Sequence, residues 1–122
     1  MVDNAFLDSI FPAEERTNAF FDALFGGAEE GAYDIRLACR TVEADRAVLA
    51  FELHQRPGKC LACNLTYGLP QVFQRHPILN VAGVARAVAQ HLGWSDVNWQ
   101  LGSTEEISRE LHAIPLILQK AI

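Results

Sequence analysis

Between Tyr33 and Gln55 the chain alternates apolar and polar residues twice over, and this period of two restricts the fold more than any other feature. Tyr33, Ile35, Leu37 and Cys39 fall on one side, and Asp34, Arg36, Ala38 and Arg40 on the other. After a turn at Glu43–Asp45, Leu49, Phe51 and Leu53 repeat the pattern within Ala47–Gln55. Strands of this kind bury one face and wet the other, the habit of antiparallel rather than parallel sheets. Keeping both apolar sets on one face pairs Leu37 with Phe51, Arg36 with Glu52 and Asp34 with His54.

Arg56-Pro57-Gly58-Lys59 is a second turn, and Leu61–Tyr67 is expected as a third strand with Leu61, Cys63, Leu65 and Tyr67 inward. A three-residue loop at Pro57-Gly58-Lys59 keeps the faces in agreement and sets Leu65 opposite Phe51. The expectation here is a three-stranded meander whose outward rows are Arg36, Glu52 and Asn64; Asp34, His54 and Ala62; and Ala38, Ala50 and Thr66.

Helical spacing flanks this block. Asp3 caps a short helix with Phe6, Leu7, Ile10 and Phe11 on one face. Pro12 opens a second helix carrying Phe20, Phe21, Leu24 and Phe25, which Gly26-Gly27 ends. Gln71–Pro77 is a connection with at most one helical turn. Asn80 caps a helix with Val81, Val84, Ala85, Val88 and Leu92 at core spacing, closed by Gly93. Val97–Leu101 alternates as a fourth strand. Ser103-Thr104-Glu105-Glu106 has the form of a capping box and predicts a helix to about His112. Pro115–Gln119 is either a fifth strand or a terminal helix. The expected fold class is α+β, with an antiparallel sheet of four to five strands, helices on one face, and the order α-α-β-β-β-α-β-α-(β) in a single domain over 1–122.

Composition narrows the function classes. Half of the 122 residues are apolar and 20% are charged, which is a globular balance. The net charge of -5 argues against nucleic acid as a partner. The segment 81–111 does not rescue a helix-turn-helix, because its second helix would open on Thr104-Glu105-Glu106, which repels phosphate. No stretch approaches the roughly 18 apolar residues of a membrane span. The start Met1-Val2-Asp3-Asn4 lacks the basic and apolar regions of a signal peptide, so a cytoplasmic protein without a membrane partner is expected. The charge is segregated: residues 1–34 are strongly acidic, residues 35–95 basic and the remainder mildly acidic. Complementary surfaces, within one chain or between two copies, follow from that segregation.

Four features are candidates for function. The polar sheet face brings Asp34, Arg36, Glu52, His54 and Asn64 together, with Asp34 beside His54 and Glu52 beside Arg36. An imidazole next to a carboxylate is the arrangement of simple acid/base or ligand-binding sites. Five phenylalanines, Phe6, Phe11, Phe20, Phe21 and Phe25, crowd the first two helices; they clamp helices to the sheet, and any surplus makes a contact with a second chain. Cys60-Leu61-Ala62-Cys63 has the spacing of half a zinc site or a redox pair. It has no second ligand pair, and residues three apart in a strand point to opposite faces, so reduced thiols and no metal are expected. Arg75-His76-Pro77 precedes a helix start, where an anion can sit; the alternative is that His76 packs under the connection. No glycine-rich phosphate loop, nucleophile elbow or zinc-protease motif occurs, and no cofactor is implied.

In element order, size and acidity the chain resembles small dimeric secretion chaperones. The phenylalanine-rich helical start, the segregated charge and the lack of a catalytic signature point to a non-catalytic, homodimeric interaction module, chaperone- or adaptor-like, whose partner is itself or another protein. The contrasting reading is a small-molecule-binding domain or simple acid/base enzyme built on Asp34, Arg36, Glu52 and His54.

Overall fold

The alternating block forms a hairpin of two ten-residue strands, β1 (Tyr33–Val42) and β2 (Arg46–Gln55). Its register is the expected one: Leu37 faces Phe51, Arg36 faces Glu52, and Asp34 faces His54. The register shifts between Cys39 and Thr41, so Arg40 is an extra residue on β1, and the bulge leaves its side chain on the polar face. The computed structural model describes residues 2–27, 29, 31–61 and 66–121.

The second neighbour of β2 is not the segment after the turn. It is β5 (Leu111–Lys120), which pairs antiparallel with β2 along its length, Phe51 facing Ile114 and Leu49 facing Leu116. β3 (Val97–Leu101) and the two-residue β4 (Glu105–Glu106) both pair with the far edge of β5, giving the order β1-β2-β5-β3. The result is α+β with a five-stranded antiparallel sheet. Pro115 does not end β5 as a strand, and the fifth-strand alternative is the one realised.

Two local expectations give way to this pairing. Leu61 is buried but not in a strand, and Thr66–Gly68 is one turn of 3-10 helix; Ala62, Cys63, Asn64 and Leu65 lie outside the described residues. Physically, β5 offers ten residues with Ile114, Leu116 and Leu118 fully buried at alternate positions. That matches the length of β2, whereas seven residues after a tight turn do not. The helix expected from Ser103 to His112 is likewise absent. Its first residues form β4, and His112 sits in β5 opposite Leu53. A capping box contributes only about 1 kcal/mol, less than the burial of a central strand.

The helices gather on the odd-numbered face of β1 and β2. They are α1 (Asn4–Ile10), α2 (Ala13–Phe25), α3 (Leu69–Arg75) and α4 (Val81–His91). Asp3 Oδ1 accepts from the Phe6 amide at 2.8 Å. Asn80, at φ 47, caps α4 by accepting from the Gly83 amide. Past α4, Gly93 at φ 80 lets its own amide reach Gln90 and the Trp94 amide reach Ala89, a Schellman stop that seats Trp94 in the core. Residues 69–75 are a full helix rather than a bare connection. It brings Phe73 to 5.6 Å from Phe20 and 5.7 Å from Phe51, both edge to face.

Phe11, Phe20 and Phe21 are at most 2% exposed, so three of the five N-terminal phenylalanines clamp helices to sheet and are closed to a partner. Phe6 is half-buried and stacks on His91 at 3.9 Å. Phe25 stands out at 58% exposed, beside Leu24.

Candidate functional site: a cleft beside the open sheet face

The even-numbered face of β1 and β2 points away from the core. Asp34 and Arg36 are exposed there, and Glu52 and His54 are half-buried. Its middle is small: Ala38 faces Ala50, which faces Pro115. Arg40 crosses this floor. Its guanidinium meets Glu105 Oε1 on β4 at 2.7 Å, two strands beyond β2, and Ala50 and Ala113 in the crossed strands are fully buried. The Arg40 hydrogen bond holds the Glu105 carboxyl below its ordinary pKa.

At the β1 edge the face is walled by α2. One side chain fixes that wall. Thr17 is buried, its hydroxyl accepts from the Ile35 amide at 2.9 Å and donates to the Ile35 carbonyl at 3.2 Å. Both groups belong to the outer edge of β1, where among the described residues no strand pairs with it. A bare edge is a template for unwanted pairing, and here the threonine satisfies it and sets the spacing between helix and strand. Glu14 and Asn18, one helical turn apart and flanking Thr17, then overhang the sheet.

The consequence is a cleft of about 470 Å³ lined by Ala13, Glu14, Asn18, Asp34, Ile35, Arg36 and His54. Three of the residues expected on the polar face converge in it: Asp34, Arg36 and His54. Glu52 supports it from beside, and Asn64 lies outside the described residues. The pairings inside differ from the expected ones. His54 Nε2 meets Glu52 Oε1 at 3.0 Å, along its own strand, rather than Asp34 across the hairpin. Asp34 Oδ1 instead accepts from Arg56 Nε at 3.1 Å. Arg56 also donates to Asn18 Oδ1 and to the Gly31 carbonyl, and lies over the Phe21 ring. It thus ties α2, the chain before β1, and β2 together. Arg36 faces Glu52 in the register yet makes no hydrogen bond or ion pair among the described residues.

No family model, curated protein or solved structure matches this chain. The resemblance to secretion chaperones therefore gains no support, and the cleft is the feature that bears on function.

Other sequence candidates resolve differently. Cys60 is disulfide-bonded, which corrects the expectation of reduced thiols, since Cys60 sits in an exposed turn and not in a strand. Cys63 lies outside the described residues. Cys39 is a free thiol that burial makes harder to ionise. Among the described residues no group of three or more His, Cys, Asp or Glu side chains is placed to hold a metal ion. His76 packs edge to face on Phe20 at 4.9 Å, under the connection, instead of opening an anion site.

A polar cluster behind the sheet has no signal in the sequence. His112, 2% exposed, meets Thr66 Oγ1 at 2.8 Å through Nδ1, and Thr104 Oγ1 donates to the Thr66 carbonyl at 2.7 Å. Beside it the Tyr67 hydroxyl donates to Glu106, and that bond raises the phenol pKa. These bonds pin the 3-10 turn to β4 and β5, and none of the groups opens into the cleft. Glu14 and Asn18 were also invisible beforehand. Their i, i+4 spacing was readable, but which side of the sheet α2 would flank was not.

Proposed function

We propose that this protein is a binding module that receives a small polar molecule in the cleft between α2 and the open sheet face. One observation carries the reading: Asp34, Arg36 and His54 converge, with Glu14 and Asn18 opposite, around a concave space of about 470 Å³. That volume lies within the usual range of ligand pockets. Binding is favoured over covalent catalysis because, among the described residues, no serine, threonine or cysteine lines the cleft beside His54. The test is a fragment screen by 15N-1H correlation spectroscopy. Bound fragments should shift the amides of residues 13–18, 34–36 and 54 as one group. A screen in which no fragment moves that group would sink the proposal.

A second reading, a homodimeric adaptor, is favoured by one surface. Leu24 and Phe25 stand 44% and 58% exposed at the end of α2, with the Phe25 ring stacked on the buried Phe21. A second copy of the chain is the proposed occupant. Sedimentation velocity should then show a dimer that Phe25→Asp dissociates, and a strict monomer at high concentration rejects it. Among the described residues no helix is long and apolar enough to cross a membrane. We propose a cytoplasmic location, against which the disulfide at Cys60 counts, because a reducing compartment keeps thiols reduced; recovery of the chain in a membrane or periplasmic fraction would overturn it.

A further inference from the structure

We infer that the cleft selects a small zwitterion, a molecule with a carboxylate at one end and an ammonium group at the other. The inference rests on the reading of the cleft as a ligand site. Its basis is the state of the charged groups that line it. Asp34 is engaged by Arg56 at 3.1 Å. His54 is engaged by Glu52 at 3.0 Å, and this also removes the partner that the register had set opposite Arg36. Two charged groups are left over, Arg36 on β1 and Glu14 on α2. Both line the cleft, and among the described residues neither has a hydrogen bond or an ion pair. They carry opposite charges across one cavity and do not meet.

A ligand that spans them must complement both. A guanidinium offers a planar fork that fits a carboxylate with two parallel hydrogen bonds. Glu14 offers an acceptor to an ammonium group. Asn18 spends its carbonyl oxygen on Arg56 at 3.2 Å, which leaves its amide hydrogens to donate to a ligand carboxylate. A simple anion would face Glu14 and Asp34, and a simple cation would face Arg36, so each meets like charge. The zwitterion meets neither penalty. An α-amino acid is the plainest member of the class, and the volume leaves room for a side chain.

The experiment titrates the full chain with four probes and follows the amides of residues 13–18, 34–36 and 54. Glycine and leucine carry both charges, N-acetylleucine only the carboxylate, and leucinamide only the ammonium. Leucine should bind at least tenfold more tightly than either of its one-charge analogues. Arg36→Gln and Glu14→Gln should each weaken leucine by about tenfold while leaving the melting temperature unchanged, since both side chains are exposed. Equal binding of leucine and N-acetylleucine would overturn the zwitterion and leave the cleft as an anion site. Failure of both zwitterions while other fragments shift the cleft amides would also overturn the zwitterion inference. If no compound moves those amides, the binding reading falls with it.

Discussion

Replacing Thr17 with valine should destabilise the protein by about 2–4 kcal/mol, although the two side chains have nearly the same shape. The hydroxyl is the partner of both the Ile35 amide and the Ile35 carbonyl on a strand edge that, among the described residues, has no other neighbouring strand. Thr17 and Ile35 are each 0% exposed, so water does not replace the lost bonds without opening the contact. An unsatisfied buried donor or acceptor costs about 1–3 kcal/mol, and two are created at once. Urea denaturation should show the loss as a shifted midpoint with an unchanged slope, and the melting temperature should fall on the order of 10 °C. Thr17→Ser is the control. It keeps the hydroxyl and loses one methyl group, so about 1 kcal/mol is expected. Because Thr17 also sets the distance between α2 and β1, Thr17→Val should weaken whatever the cleft binds, whereas Thr17→Ser should not. If Thr17→Val stays within about 0.5 kcal/mol of the parent, or if serine does as much harm as valine, the edge-satisfying role is wrong.

Phe20→Ala should cost about 3–5 kcal/mol by leaving a cavity among Phe21, Phe73 and His76, while Phe25→Ala, at an exposed ring, should change the denaturation midpoint by less than a quarter of that. Gly31→Ala would set a methyl 2.2 Å from the Phe21 ring, so its midpoint should fall clearly although alanine is normally harmless in a loop. Glu105 titrates below its ordinary value because of Arg40; its contribution is therefore present at neutral pH and is lost as pH falls through the depressed value. Both side chains are part-exposed, so the bridge is worth about 0–1 kcal/mol. In Arg40→Ala the Glu105 carboxyl should titrate higher by NMR, and the acid limb of the stability curve should become shallower.

Local chemistry determined much of this protein in advance. The two-residue period of β1 and β2, the hairpin register, the Asp3 and Asn80 caps, and the glycine stops at Gly26 and Gly93 are all short-range matters of sterics and hydrogen bonding, and the sequence states them directly. So is the coincidence of Asp34, Arg36, His54 and Glu52 on one face, which needs only the register. The tertiary structure alone decided which segment completes the sheet. Residues 61–67 were near in sequence, but Leu111–Lys120 matched β2 in length and buries Ile114, Leu116 and Leu118 at alternate positions, and that competition between distant segments leaves no local trace. It overrode the capping box at Ser103, drew His112 into the core, and let Arg40 reach Glu105. It also decided the partners within the polar face. Asp34 was taken by Arg56 and His54 by Glu52, which leaves Arg36 and Glu14 without a side-chain partner among the described residues, in a cleft that Thr17 helps to form by docking α2 against the edge of β1.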